Sequence, residues 1–155
     1  MSRLRAWATG SRLRIVLLAI VALFLVIQLV PYGRDHSNPP VTQAASFDDP
    51  RTAQLVDDAC GACHSNMTNW PLEAGIAPTS WLIQHDVEDA RRILNFSEWD
   101  RPQPELERVL EAISGGEMPP LQYKVLHPSA RLPAAEKDEL TQGLSATYAS
   151  DPPGP

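Results

Sequence analysis

The sequence predicts an all-α domain displayed behind a single N-terminal membrane-spanning helix. Three observations carry that expectation. One is an uninterrupted apolar run close to the N-terminus. Another is a series of apolar stripes at helical spacing, each opening at a proline or a small polar cap. The third is that no segment alternates apolar and polar residues for long.

Residues 1–14 carry Arg3, Arg5, Arg12 and Arg14 and no acid, a basic segment expected on the cytoplasmic side. Residues 15–30, IVLLAIVALFLVIQLV, hold one polar side chain, Gln28. Sixteen helical residues span about 24 Å against a hydrocarbon core of about 30 Å, so the expected anchor is 15–32, with Pro31 and Tyr32 in the interface. A cleaved signal peptide fits less well: no A-x-A-like site follows the run, and the nearest small cluster is Ala44-Ala45-Ser46. Residues 33–48, broken by Pro39-Pro40, read as a flexible linker, at most about 55 Å extended and roughly 20–25 Å as a coil. His36 lies within it and is expected to be solvated.

The head is expected over 49–150, followed by a disordered tail at 151–155. Asp49-Pro50 is an N-cap followed by proline at the first helical position, so a helix should run from Pro50 into residues 60–64. Val56, Cys60 and Cys63 fall on one stripe. Thr79 or Ser80 caps a second helix of about 80–95 that buries Ile83, Val87, Ala90 and Leu94. A third, near 104–113, buries Leu106, Val109, Leu110 and Ile113 and stops at Gly115-Gly116. A last helix, about 133–147, buries Leu140 and Leu144.

Composition narrows the function classes. The chain has 155 residues, 15 of them proline and only 2 cysteine, so no disulfide framework holds the head. The net charge of −6 includes the four N-terminal arginines, which leaves −10 for residues 15–155. That acidity excludes nucleic acid as a partner and suits a basic patch on another protein.

The two cysteines lie in Cys60-Gly61-Ala62-Cys63-His64. This spacing is the attachment signature of c-type haem: two thiols three positions apart each add to one vinyl group of the porphyrin, and a histidine follows to ligate iron. On a helix His64 lies one turn after Cys60 and on the same face. A thioredoxin-like pair wants a strand ahead of the motif, and a zinc site wants four ligands. Neither is visible here. One covalent haem c is therefore expected, held by Cys60 and Cys63, with His64 as the proximal ligand.

For the second axial ligand the best candidate is Met118, in Gly115-Gly116-Glu117-Met118-Pro119-Pro120. Glycine permits close backbone approach and the prolines stiffen the loop, which a weak iron–thioether bond requires. His127, ahead of Pro128, is the alternate. Met67 lies too near His64 in sequence, and His85 is expected to face water. Trp70, Trp81, Trp99 and Tyr123 are the main aromatic side chains of the head, and Arg91 and Arg92 are expected on an exposed helix face. Asn66-Met67-Thr68 and Asn95-Phe96-Ser97 match glycosylation sequons, but a glycan two residues from the axial histidine would obstruct folding.

With these residues in view, the chain resembles the bacterial haem-binding domain family of membrane-anchored, single-haem, c-type cytochrome-like proteins. The matching stretches are CGACHSNMTNWP (60–71), IAPTSWLIQHDVEDARRILNFSEW (76–99), GEMPPLQYKVLHPSARL (116–132) and AEKDEL (135–140). Pro133 departs from the serine common at the last helix cap. The resemblance implies a cytochrome c-like fold facing the periplasm from the inner membrane. The expected role is a one-electron carrier, not an enzyme, exchanging electrons with membrane or periplasmic redox partner proteins. Two alternatives remain open: a haem-based gas or redox sensor, and a peroxidase-like enzyme in which His127 or Glu117 would act on the distal side.

Overall fold

The computed structural model describes residues 2–155, with side chains from Ser11 onward. The described chain is helical and contains no strand; its one β-bridge pairs Gln43 with Glu98. It divides into two compact units, Met1–His36 with Pro71–His85, and Ser37–Trp70 with Asp86–Pro155.

In the first unit, helix α1 covers Ser2–Ile27, and its apolar side chains from Leu13 to Val26 are exposed. Among the described residues no helix is long and apolar enough to cross a membrane. Gln28, expected as the lone polar member of the run, has a specific partner. Its Nε2 donates to Phe24 O at 3.1 Å and Ala77 O at 2.9 Å, and its Oε1 accepts from Ala77 N at 3.0 Å. Gly33 passes so close to Ser80 that a Cβ would lie 2.4 Å from the Ser80 carbonyl oxygen, and its φ of +79° disfavours any other residue. His36 is not solvated: its Nε2 donates to Ala74 O at 3.0 Å, with Gly33 O at 3.2 Å. A carbonyl can only accept, so this nitrogen carries the proton. A 3₁₀ turn, Leu72–Gly75, leads to α4 (Thr79–Ile93), the helix expected at 80–95.

The second unit is built around α2 (Pro50–Val56), a π-helical turn (Asp57–Gly61) and the short α3 (Ala62–His64). The Asp49 cap is formed as the sequence predicts: Oδ1 accepts from Arg51 N at 2.6 Å and Thr52 N at 3.0 Å. After α4 come α5 (Leu106–Ser114), α6 (Leu121–Leu126), a 3₁₀ turn (Pro128–Ala130) and α7 (Ala134–Ser150). Proline at position 133 supplies no side-chain cap, and α7 simply starts one residue later. Helix α7 packs on α2 and α5 and buries Leu140 and Leu144. The approach of α7 to α2 is close because Gly143 faces Thr52; a Cβ there would meet Thr52 Oγ1 at 1.9 Å.

The core joins Leu55, Val56, Ala59, Leu94, Phe96, Trp99, Ile113, Leu132, Leu140 and Leu144. Trp99 is fully buried, stacked near Phe96 and edge-on to Tyr148. Two segments expected to be loose are attached here. Ala45 N donates to Phe96 O at 2.8 Å, Trp99 N donates to Gln43 O at 2.8 Å, and Phe47 packs on the core. Asn38 and Pro40 of the expected linker are held too: Asn38 Nδ2 donates to Thr68 O at 2.9 Å, and Pro40 O accepts from Asn66 Nδ2 at 2.9 Å. The tail is tied as well: Trp99 Nε1 donates to Asp151 O at 2.8 Å, and Gly154 N donates to Trp99 O at 2.8 Å. Both differences come from bonds to the backbone and indole of Trp99 and to the backbone of its neighbours, partners far away in the chain.

Candidate functional site

The Cys60–His64 string sits where the helix beginning at Pro50 widens into a π turn and then tightens again over three residues. Single π turns inside α-helices recur at functional sites because they displace one residue from the regular ladder. Here the widened turn holds Cys60, and α3 holds Cys63 and His64. Cys60 also packs against the hydrophobic core. Both thiols are free, and all three residues keep part of their surface accessible.

The 94–96 segment grips His64 at both ends. Its carbonyl accepts from Phe96 N at 2.8 Å, and its ring Nδ1 lies 3.0 Å from Leu94 O. A carbonyl oxygen can only accept, so Nδ1 carries the proton and Nε2 presents a lone pair. Burial lowers the imidazole pKa, while the carbonyls of Leu94 and Ala90 oppose that shift. The neutral ring with a fixed Nδ1–H is the form that ligates a metal.

The carbonyls at the end of this helix, which have no partner within it, are satisfied by the following loop. Ser65 Oγ donates to Gly61 O at 2.7 Å and Thr68 Oγ1 donates to Ala62 O at 2.7 Å. Arg91, expected on an open face, instead holds that loop. Its Nε donates to Ser65 O at 2.9 Å, and a terminal nitrogen donates to Thr68 Oγ1 at 2.8 Å and Asn38 Oδ1 at 2.7 Å. The guanidinium also lies 6.0 Å from the Trp70 ring centroid. Arg91→Met keeps the aliphatic stem and removes these bonds. The expected cost is about 2 kcal/mol in urea denaturation, with faster amide exchange over 65–70.

Asn66 and Asn95, the two sequon asparagines, are buried and bonded to each other, Nδ2 of Asn95 to Oδ1 of Asn66 at 2.8 Å. Asn66 Nδ2 also donates to Pro40 O at 2.9 Å and Glu98 Oε1 at 3.0 Å. They hold the loop after His64 against the 95–98 turn.

Burial pushes the Cys60 thiol up to about 12, with Cys63 adding to the rise. Burial likewise pushes Cys63 up to about 11, Asp86 adding and Arg91 opposing. Both sulfurs are thus protonated near neutrality, the reverse of a low-pKa redox pair. Among the described residues no group of three or more His, Cys, Asp or Glu side chains is placed to hold a metal ion by itself.

Met118 follows the Gly115-Gly116 stop of α5. Its N–H donates to Ala112 O at 3.0 Å, tying its loop to the last turn of that helix, and its side chain is 39 % exposed. Helix α6 carries Tyr123 to the vicinity of the two thiols. The Tyr123 phenol is pushed up to about 12, first by burial and then by Cys63 and Cys60. His127 stacks flat on Tyr123, ring centroids 3.9 Å apart and 15° from parallel, with Nδ1 3.2 Å from Tyr123 O. The π turn also touches the 3₁₀ turn Pro128–Ala130. Residues 123–130 are therefore brought to the motif. The Tyr123–His127 stack, the Leu94 carbonyl and the Arg91 clamp were not legible in the sequence. Only the four-residue spacing of Tyr123 and His127 on a helical turn hinted at the first of them.

These residues fit a haem. Three partly accessible residues of one chain segment supply two protonated thiols and a neutral histidine whose Nδ1 is committed to Leu94. Apolar side chains that a flat macrocycle could cover, Leu121, Val125 and Leu126, stand exposed on the α6 segment. No curated protein and no solved structure matches the chain. One family's sequence model, described as a haem-binding domain, matches residues 22–146. That span covers most of the chain and includes every residue of the site, and the protein belongs to the haem-binding domain family.

Proposed function

We propose that the protein is a membrane-anchored c-type haem protein that carries single electrons on the periplasmic side of the inner membrane. The observation that carries this reading is His64. Its ring is fixed through Nδ1 by Leu94, and it directly follows two thiols at the spacing that covalent haem attachment requires. Cys60 and Cys63 would hold the haem through thioethers, and His64 Nε2 would ligate its iron. Met118 would supply the second ligand, with His127 the alternate. His127 keeps the alternate role, because Nδ1 meets Tyr123 O and leaves Nε2 as the acceptor, while the Tyr123 ring covers one face of the imidazole.

When bound, haem c supplies a one-electron ferric–ferrous couple. The chain supplies the rest. The Leu94 carbonyl keeps the proximal imidazole oriented and electron-rich, Arg91 and Asn66 hold the following loop closed, and the core beneath Cys60 excludes water. The exposed apolar side chains of α1 and the four arginines ahead of its apolar run support an anchor at 15–32 with the head exported. The acidic remainder of the chain supports a basic redox partner protein. An electron carrier needs no substrate pocket and no distal acid–base group.

Absorption spectroscopy of the matured protein tests the ligand pair. His/Met iron is low-spin with a weak far-red sulfur-to-iron band. Met118→Ala removes that band, whereas His127→Ala leaves it. High-spin iron that binds carbon monoxide readily in the wild-type protein would favour the sensor reading instead.

A further inference from the structure

We propose that residues 72–82 form an interfacial foot that lies on the lipid surface beside the end of the anchor. The inference rests on the membrane-anchor reading above and adds a second membrane contact to it.

The Gln28 side chain sets the level of this segment. One Nε2 donates to both Phe24 O and Ala77 O, so those two carbonyls lie within about 6 Å of each other. Oε1 closes the second half of the pair by accepting from Ala77 N. Phe24 and Gln28 stand two to six residues short of the end of the apolar run at Val30, about 3–9 Å along a helix. Ala77 is therefore level with the last apolar turn of the anchor. Two further fastenings keep it there, His36 Nε2 on Ala74 O and the Gly33 backbone against Ser80.

The side chains around Ala77 are apolar and open. Leu72 is 94 % exposed, Ile76 51 % and Leu82 49 %, while Ala74, Ala77 and Ser80 are buried on the inner side. Three large aliphatic residues held at the level of a bilayer boundary match a lipid surface. The same arrangement answers the shortness of the apolar run, which spans about 24 Å where about 30 Å is needed. Val30, Leu29 and Tyr32 are exposed in the same unit and extend the apolar zone. Glu73 lies between Leu72 and Ile76, so the foot sits at headgroup depth rather than in the hydrocarbon.

The test uses the full haem-loaded chain in vesicles of phosphatidylcholine and phosphatidylglycerol. They are doped with a phosphatidylcholine bearing a diazirine on its acyl chain close to the carbonyl. After illumination, lipid adducts are assigned to residues by mass spectrometry. Adducts are expected on residues 15–30 and also on 72–82. In Leu72→Glu with Ile76→Glu, adducts over 72–82 should fall to background while those over 15–30 and the haem absorbance persist. Adducts confined to 15–30 in the wild-type protein would overturn the foot and leave the anchor standing. Adducts in neither segment would overturn both.

Discussion

His64→Ala is expected to abolish the low-spin haem spectrum and lower the yield of haem-loaded protein about tenfold or more, since loss even of an outer partner of a ligating histidine costs 10–100-fold. The effect should be large because no other imidazole directly follows the two cysteines. His64 is placed by three constraints: its carbonyl on Phe96 N, its Nδ1 on Leu94 O, and its position directly after Cys63. The other histidines are committed or distant in the chain: His36 bonds to Ala74, and His127 stacks on Tyr123. The readout separates ligation from packing. A role limited to the Leu94 contact would lower the unfolding midpoint without changing spin state, and a low-spin wild-type-like spectrum in His64→Ala would refute the assignment.

Trp99→Ala is expected to destabilise the head by about 3–5 kcal/mol, the range for truncating a buried large aromatic. That is a large fraction of the 5–15 kcal/mol by which a domain is typically stable. The indole is fully buried, stacks within 5.8 Å of Phe96, meets Tyr148 edge-on at 5.2 Å, and donates to Asp151 O. Its backbone also anchors Gln43 and Gly154. One residue thus joins the segment before α2, the turn that orients His64, and the C-terminus. Trp99→Phe should cost less than the alanine variant, retaining the ring while leaving the Asp151 carbonyl without its donor. Guanidinium denaturation followed by far-UV circular dichroism reads both. Proteolysis within 40–48 and at the C-terminus should rise in the alanine variant, because both segments are held through this residue.

The helical head was legible because its signals are local. Asp49-Pro50 sets the start of α2, Gly115-Gly116 ends α5, and of the expected stripe Val87 and Ala90 set the buried face of α4, with Ile83 half-buried and Leu94 buried just past the helix end. The Cys60, Cys63 and His64 string stands out for a stricter reason: on the proposed reading, covalent attachment would fix this spacing whatever surrounds it. What the sequence hid depends on backbone groups or on distant partners. Val41 to Phe47 carries the polar, proline-broken look of a linker, yet it docks through main-chain bonds to Phe96, Ser97 and Trp99. Arg91 occupies an unremarkable position on an amphipathic helix, and its three acceptors lie 23 to 53 residues away. Helix α6 is six residues long and follows two prolines, too short for a periodic signal to declare itself. The π turn at Asp57–Gly61 likewise leaves no mark in the order of residues.

The account stands on a haem joined to the polypeptide through both Cys60 and Cys63. Denaturing intact-mass spectrometry of protein produced with the c-type maturation machinery measures this directly. The expected spectrum shows one species, the polypeptide plus a single haem, and the colour stays with the protein in acidified acetone. A mass equal to the bare polypeptide, with the pigment extracted into the solvent, would contradict it.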